Sequence, residues 1–260
     1  MFNWSKINHR SAFGKALRLP LKLLPKALVL PILSGPMKGM KWRVGTSDHG
    51  CWLGTFELTK QQAIWNQVRP DMVVYDIGAN AGIYTLLFAK AVGHNGRVFA
   101  FEPFAENVTN FLCHTRLNHL ENVVLIQAAL SSGLGLSSFK AGATNSMGAL
   151  TGDATPLQVP TFSMDELVST YGFPSPDFVK MDVEGAESEV LAGASTILKE
   201  QSAVWFIALH GDEQKQNCQE ILEAHHYRLF TLDARPVTYR LETSTHDEIY
   251  AVPAHHRNVA

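Results

Sequence analysis

The pattern of apolar and polar positions changes near residue 70. From there on, short apolar runs typical of buried parallel strands alternate with segments of helical periodicity. The predicted strands cover residues 72–77, 97–101, 123–130, 178–183, 204–209, 228–232 and 248–252. The predicted helices cover residues 83–91, 104–118, 164–171, 186–199 and 213–225. This alternation predicts an α/β fold whose mostly parallel sheet is covered on both faces. The last two strands have no helical period between them, so we expect them to pair antiparallel.

Residues 131–165 interrupt the alternation with a segment rich in Ser, Gly, Thr and Ala. We expect an irregular insertion with short strands at 137–140 and 158–162. Long loops of this kind are often functional. The insertion and the segment around Trp52 and Phe56 are therefore our candidates for the walls of a substrate pocket.

The first 36 residues predict an arm that precedes the core. Prolines recur every five or six residues and prevent one long helix. Leucines between them alternate with Lys and Arg, a composition that suits an anionic membrane surface. Alternatively, the arm packs on the main domain or is partly disordered. Residues 37–69 predict an extension of short strands with a helix at 57–69, and residues 70–260 predict the main domain.

Composition and charge narrow the class of protein. Apolar residues make up 46% of the chain and charged residues 18%, so a sizeable core is available. Residues 1–47 hold nine Lys or Arg and no Asp or Glu, so a basic arm precedes an acidic body, which argues against a nucleic-acid ligand. Cys51, Cys113 and Cys218 form neither a zinc-type pair nor a disulfide framework. No apolar run reaches the ~18 residues of a membrane span. We therefore expect a cytoplasmic protein, with peripheral membrane contact only through the arm.

The first strand of the main domain ends in a small-residue loop, DIGANAG. Its glycines allow a tight turn and close approach of a ligand, and the following helix offers free N–H groups. The spacing differs from the G-x-G-x-x-G of dinucleotide sites, and an acid here would repel a diphosphate. The acid can instead accept from the ammonium of an amino acid, while N–H groups of the loop hold the carboxylate of that amino acid. This combination matches the methionine end of S-adenosylmethionine. The predicted contacts are Asp76, Gly78, Ala79, Asn80 and Gly82.

The second strand ends in a further acid, Glu102. A carboxylate at this strand tip can accept from both hydroxyls of a ribose. Small residues at the end of the third strand would leave room for adenine. The amide of Gln127 could hydrogen-bond the amino edge of that base. Ordinary packing of these residues is the alternative. The residues predicted beside the nucleoside are Pro103, Phe104, Gln127, Ala128 and Ala129.

Charged residues alternate at the end of the fourth strand, at Lys180, Asp182 and Glu184. Alternate positions share one face, and charges in a buried strand need partners or a ligand. We expect Asp182, beside the cofactor, or Glu184 to deprotonate or orient an acceptor hydroxyl. Lys180 would keep these acids ionised or bind an anionic substrate. His210, after the fifth strand, is a third candidate base. The alternatives are a divalent metal site at Asp182, Glu184 and His210, or a structural cluster of ion pairs. Glu187, in the first turn of the next helix, would complement the helix dipole.

Together these motifs resemble the FkbM family of S-adenosylmethionine-dependent methyltransferases. The resemblance covers about residues 70–210 and rests on the loop at 76–82, on FEP at 101–103, on ALS at 129–131 and on KMDVEGAE at 180–187. It implies a Rossmann-like, seven-stranded sheet of the class I methyltransferase type, and cofactor contacts at Asp76, Gly78, Asn80 and Glu102. It also implies O-methylation of a small-molecule or glycan acceptor, such as a sugar or a polyketide-like natural product.

The chain departs from this family at Ala208, where members often carry Glu. Either His210 substitutes for that acid or activity is weakened. Two other functions stay open. Glu102 is compatible with a nicotinamide-dependent oxidoreductase, but Asp76 and the spacing of the glycine loop argue against that function. A non-catalytic binding protein with a methyltransferase fold fits Ala208 and the basic arm.

Overall fold

A computed structural model describes residues 21, 23–140, 148–152, 155 and 157–256 of the chain. Residues 1–20 and 22 of the predicted arm lie outside the described residues, as do 141–147, 153–154 and 156 of the predicted insertion. The predicted membrane contact of the arm therefore stays a prediction. Within the described ranges, no helix has the length and apolar character required to cross a bilayer.

The described residues form thirteen strands and eight α-helices. The strands are β1 (Val29–Pro31), β2 (Lys41–Arg43), β3 (Val73–Ile77), β4 (Arg97–Phe101), β5 (Val123–Ile126), β6 (Ala129–Leu130), β7 (Gly135–Lys140), β8 (Ala149–Thr151), β9 (Gln158–Phe162), β10 (Phe178–Met181), β11 (Val204–Ala208), β12 (Tyr227–Thr231) and β13 (Glu248–Pro253). The helices are α1 (His49–Leu53), α2 (Leu58–Gln67), α3 (Ile83–Val92), α4 (Ala105–Leu117), α5 (Met164–Ser169), α6 (Glu187–Ala192), α7 (Ser195–Glu200) and α8 (Asp212–Ala224).

The main sheet has seven strands in the order β12-β13-β11-β10-β3-β4-β5. The chain winds outward from β3 through β4 to β5, then returns to β10 on the other side of β3. Neighbouring strands are parallel except around β13, which is antiparallel to β11 and β12. This confirms the predicted α/β fold, the seven-stranded sheet and the antiparallel end. The reversal of winding opens a crevice beyond the carboxyl ends of β3 and β10.

Alternate strand residues enter two cores, one on each face of the main sheet. Tyr75 and Ile77 of β3 belong to the core that α6, α7 and α8 cover. Val74 belongs to the other core, where Trp42 of β2 and Phe88 of α3 are fully buried. Because both faces are covered, the strands are apolar at nearly every position, which explains their continuous apolar runs in the sequence.

Two predicted elements are divided in the structure, so their predicted extents were wrong. The strand predicted at 123–130 leaves the main sheet after Ile126, because the Ala128 N–H bonds back to the Ile126 carbonyl; β6 then pairs with β9. The helix predicted at 186–199 breaks into α6 and α7 around Gly193. The Gly193 carbonyl accepts from the Asp165 N–H, and a Cβ at position 193 would lie 2.1 Å from the Ser131 carbonyl oxygen.

The predicted insertion forms a second sheet in the order β6-β9-β7-β8, in which β7 and β9 are the predicted short strands. Upstream, residues 37–56 were expected to hold only short strands and turns, and this missed α1. The Asp48 side chain accepts from the Gly50 N–H at 2.6 Å and caps that helix. β1 lies within the predicted arm and pairs with β2. The other predicted elements match within two residues at each end.

Candidate active site

A cavity of about 680 Å³ lies at the carboxyl ends of β3, β4 and β10. One wall is the loop between β3 and α3. The opposite walls come from the extension, including Phe56 and Glu57, and from the second sheet, including Phe139 and Leu150. The extension and the insertion therefore enclose the crevice that the sheet topology creates. Of the residues predicted for the walls of a substrate pocket, Phe56, Phe139 and Leu150 line this cavity, whereas Trp52 does not. Their predicted contact with an acceptor stays a prediction.

The loop between β3 and α3 is fixed by internal hydrogen bonds. Gly78 has a φ of 73°, and a Cβ there would lie 1.9 Å from the Asp182 carbonyl oxygen, so glycine lets the ends of β3 and β10 touch. Every N–H from Gly78 to Gly82 donates within the protein, to Phe101, Glu102, Asn80 or Ala79. The N–H groups predicted to hold a ligand carboxylate are thus already engaged in this arrangement. Ala79, Asn80 and the first turn of α3 still line the cavity.

Asp76 lies beneath the cavity wall. Its carboxylate is fully buried, with Oδ2 accepting from the Thr85 hydroxyl at 2.5 Å and Oδ1 3.7 Å from Lys180 Nζ. Burial raises the pKa of Asp76, although the charge of Lys180 opposes the shift. Asp76 is not one of the residues that line the cavity, and its direct contact with a ligand ammonium stays a prediction. Asp76 supplies a counter-charge for Lys180, which does line the cavity.

Glu102 lies in the cavity wall, where its carboxylate is held by three donors. Oε2 accepts from the Asn80 N–H at 2.8 Å, and Oε1 accepts from the Phe104 N–H at 2.9 Å and from Asn107 Nδ2 at 3.2 Å. Burial raises its pKa against these donors. A carboxylate accepts about four hydrogen bonds, so capacity is left for a hydroxyl donor from the cavity.

The residues predicted beside the nucleoside are only partly brought together. Pro103 and Ala129 line the cavity. Phe104 stacks on Phe139, with ring centroids 5.9 Å apart, and it is Phe139 that reaches the wall. Gln127 is exposed and Ala128 is buried outside the cavity lining, because the chain has already left the main sheet there. The sequence missed Phe139 because its strand belongs to the second sheet.

The charged residues predicted at the end of the fourth strand form one cluster with His210. Lys180 Nζ lies 3.7 Å from Asp182 Oδ2 and donates to the Gly78 carbonyl at 3.1 Å. His210 Nε2 lies 3.7 Å from both Asp182 Oδ1 and Glu184 Oε2. One ligand atom from each of Asp182, Glu184 and His210 lies within 4.8 Å of the others, a spacing compatible with the divalent-metal alternative.

The partner of His210 is Glu187, a pairing that the sequence did not reveal. Glu187 is fully buried, and its Oε1 lies 2.7 Å from His210 Nδ1 and accepts from the Gly185 N–H at 3.1 Å. We assign the proton of a neutral imidazole to Nδ1, because this nitrogen can then donate to the Glu187 carboxylate oxygen. Nε2 is then an acceptor directed toward the two neighbouring carboxylates.

The environment separates the pKa values of these groups. The hydrogen bond to Glu187 raises the pKa of His210 above its ordinary 6.5, outweighing the effect of burial. Burial opposes ionisation of Asp182, but the charges of Lys180, Lys60 and His210 prevail and lower its pKa. Burial raises the pKa of Glu184, although His210 opposes the shift. Perturbed groups gathered in a cleft are typical of catalytic sites.

A second cleft of about 480 Å³ adjoins the first cavity and opens beside His210. Glu57 lines both, and its carboxylate accepts from the Tyr84 hydroxyl at 2.7 Å and from Lys60 Nζ at 2.9 Å. Ala208 lines the cleft as the cross-strand partner of Glu248, which also ion-pairs with Lys60. The sequence carries no local signal for a site role of Glu57, Lys60 or Glu248, because only tertiary packing brings the extension and β13 to this cleft.

The sequence is related to those of known methyltransferases. A family model described as the methyltransferase FkbM domain matches residues 76–250. Hexuronic acid methyltransferase AglP of Haloferax volcanii is 28% identical over 158 residues, which are 60% of this chain and 63% of that protein. The 2-O-methyltransferase NoeI of Sinorhizobium fredii is 28% identical over 151 residues, 50% of this chain and 60% of that protein. The matches thus span about three fifths of each relative's length.

Among solved structures, the FkbM methyltransferase from Methylobacillus flagellatus KT superimposes with a TM-score of 0.47 and 16% identity, covering 79% of this chain and 55% of that one. The family match alone covers more than half of the present chain and includes the loop after β3, Glu102 and the cluster around His210. The chain belongs to the FkbM methyltransferase family.

Proposed function

We propose that this protein transfers the methyl group of S-adenosylmethionine to a hydroxyl of a sugar or glycan. The observation that carries this proposal is the joining of two cavities at Asp182 and Glu184, beside an imidazole. Family membership supports the cofactor. The relatives named for hexuronic acid methylation and for 2-O-methylation support the class of acceptor.

The first cavity fits this cofactor in size and in donor set. Its volume lies within the range of roughly 300–1,000 Å³ that is common for small-molecule sites. Glu102 can accept from ribose hydroxyls, and Phe139 and Leu150 provide apolar walls for adenine. The acids Asp48, Glu57, Glu102, Asp182 and Glu184 also line it, against the one cationic side chain of Lys180 among the described lining residues. This balance favours a cationic ligand and disfavours the diphosphate of a nicotinamide cofactor.

His210 has the geometry of a general base. When bound, S-adenosylmethionine supplies an electrophilic methyl group. Glu187 fixes the proton on Nδ1, so Nε2 can accept the proton of an acceptor hydroxyl in the cleft. Asp182 and Glu184 stabilise the resulting imidazolium and can orient the hydroxyl. The extension and the second sheet form walls of the cavity next to the point of transfer.

Transfer of a labelled methyl group to a panel of sugars tests the proposal. We expect Asp182→Asn, Glu184→Gln and His210→Asn each to lower turnover by about 10²-fold, as is usual for loss of general base catalysis. Cofactor binding measured by calorimetry should change little for Glu184→Gln and His210→Asn. Wild-type turnover in all three variants would contradict the assigned roles. Cofactor binding by a wild-type protein that methylates no sugar would favour the non-catalytic alternative.

We also propose that the protein works in the cytoplasm and that its basic arm contacts an anionic membrane surface. The nine Lys or Arg among residues 1–47 and the absence of neighbouring acids support this contact. Cys51, Cys113 and Cys218 are unpaired, as is usual in a reducing compartment. Sedimentation with anionic but not with neutral vesicles is the expected result, and equal binding to both would count against the contact.

A further inference from the structure

The point of methyl transfer lies between three carboxylates. Among the described residues, the two cavities share Glu57, Asp182 and Glu184 in their linings. If the cofactor occupies the first cavity, as proposed above, an acceptor bound in the second cleft approaches the methyl group beside these shared residues. Glu57 belongs to the extension, outside the family match, and its hydrogen bonds to Tyr84 and Lys60 hold it at this junction.

The cleft on the acceptor side carries an excess of acids. Its acidic lining residues are Glu57, Asp182, Glu184, Asp247 and Glu248. Its basic lining residues, within the described part of the chain, are Lys60 and His210. Lys215 lies behind the lining and pairs with Asp247 at 2.8 Å, and Lys180 lies 3.7 Å from Asp182. Glu57 and Glu248 share the single ammonium of Lys60. The excess of negative charge in the cleft therefore comes from this shared pair and from Glu184.

The two basic side chains are already committed to acids. Lys60 is only 7% exposed, and its ammonium ion-pairs with both Glu57 and Glu248. His210 hydrogen-bonds to the buried carboxylate of Glu187. A negatively charged acceptor would therefore meet several carboxylates without an available cation among the described lining residues. Like charges brought together in a partly desolvated site are strongly unfavourable.

We propose that this cleft selects a neutral or amino-bearing sugar over an acidic one, and that Glu57 is one of the selecting residues. Carboxylates accept hydrogen bonds from sugar hydroxyls and bind ammonium groups strongly, so the lining suits polyhydroxyl and amino-sugar acceptors. The proposal rests on the proposed methyl transfer. It separates this protein from the relative named for hexuronic acid, which carries a carboxylate on its acceptor.

Matched acceptors test this selectivity. The acceptors are arranged in sets, and each set contains a methyl hexopyranoside, its 2-amino analogue and its 6-carboxylate. For each acceptor, kcat/KM for transfer of a labelled methyl group is measured at low and at high salt. The neutral and amino sugars should exceed the 6-carboxylate by about tenfold or more at low salt, and the difference should narrow as salt screens the charges. A 6-carboxylate that is methylated as well as, or better than, its neutral partner would overturn the proposal.

A charge-neutralising variant tests the cause. Glu248→Gln leaves Lys60 with one acidic partner, so the ratio of 6-carboxylate to neutral rates should rise several-fold. Glu121→Gln, an exposed acid before β5 at the opposite edge of the sheet, should leave the ratio unchanged. If Glu248→Gln does not fold, Glu57→Gln removes the other partner of Lys60. An unchanged ratio in a folded variant contradicts the charge argument.

These results separate the two proposals. Transfer to some sugars with the wrong charge preference contradicts only the selectivity. A protein that binds S-adenosylmethionine by calorimetry but transfers to no member of any set contradicts the proposed function, and the selectivity proposal with it.

Discussion

Buried carboxylates with fixed partners organise the site. Glu102 is 5% exposed and accepts from three protein donors, and Glu187 is fully buried against His210. Asp76 takes the same kind of position beneath Lys180. Each acid lies near the end of a strand or at the start of a helix. The backbone and the fixed hydrogen-bond partners therefore restrict where its carboxylate can lie. The arrangement is therefore formed before a ligand arrives.

Glu102→Gln should weaken cofactor binding and also lower the free energy of unfolding, which urea denaturation of the same variant measures. In glutamine, an NH2 donor replaces one of the two acceptor oxygens. This NH2 group cannot accept from a ribose hydroxyl, and it faces the N–H donor of Asn80 or Phe104. Loss of a charged hydrogen bond costs about 1.5–3 kcal/mol, or roughly 10- to 150-fold in affinity. Calorimetric titration with S-adenosylhomocysteine measures this, with Glu121→Gln as the control. An unchanged affinity would remove Glu102 from the binding site.

The pH dependence of turnover should report His210. A general base must be neutral, so kcat/KM rises with pH as His210 loses its proton and falls when the pH drops below its pKa. The hydrogen bond to Glu187 raises that pKa above 6.5, so the midpoint of the ascending limb should also lie above 6.5. Glu187→Gln removes the main cause of the shift and should move the limb to lower pH.

His210→Asn is the control for this profile, because it should abolish the ascending limb and not move it. A limb that stays in place in Glu187→Gln would show that another group, such as Glu184, is the titrating base.

Among the secondary-structure elements, the loop between β3 and α3 has the strictest steric demand. Gly78→Ala combines a φ of 73° with a Cβ only 1.9 Å from the Asp182 carbonyl oxygen. Gly172 has a φ of 70° and no atom within 4 Å of its Cβ position, so Gly172→Ala isolates the backbone strain. That strain costs about 1–2 kcal/mol. Gly78→Ala should lower the free energy of unfolding clearly more than Gly172→Ala in urea denaturation, and similar losses would contradict the predicted clash.

The sequence predicted elements well where local pattern decides them and poorly where distant contacts do. β4 matches its prediction at both ends, because a buried strand bounded by polar residues carries its own signal. The break between α6 and α7 has only a weak local signal, Gly193, because a single glycine does not by itself end a helix. The contacts of Gly193 with Ser131 and Asp165, which are distant in the sequence, determine the break. Glu102 and His210 could be placed for the same local reason, since Glu102 follows β4 directly and His210 lies two residues beyond the end of β11.

For the molecule as a whole, the extension is part of the core as well as of the site. Trp42 is fully buried and stacks on His114 of α4, with ring centroids 3.6 Å apart. Burial lowers the pKa of His114 to about 4, so the ring is neutral near neutral pH. The sequence placed residues 37–69 before the domain but gave no sign that Glu57 and Lys60 reach the acceptor cleft. Such contacts depend on how the extension folds back, which no local pattern encodes.

Trp42→Ala tests whether the extension and the main domain unfold together. Removing a buried Trp side chain costs about 3–5 kcal/mol. If the two parts form one cooperative unit, urea denaturation should show a single transition displaced by this amount. A separate early transition, with the main transition unmoved, would show that the extension folds independently.

A crystal structure with S-adenosylhomocysteine tests the central claim most directly. We predict that the nucleoside lies in the first cavity with its ribose hydroxyls within hydrogen-bond distance of Glu102, and that its sulfur faces the junction at Asp182 and Glu184. Density for the ligand at another place, or a sulfur directed away from the second cleft, would contradict the account.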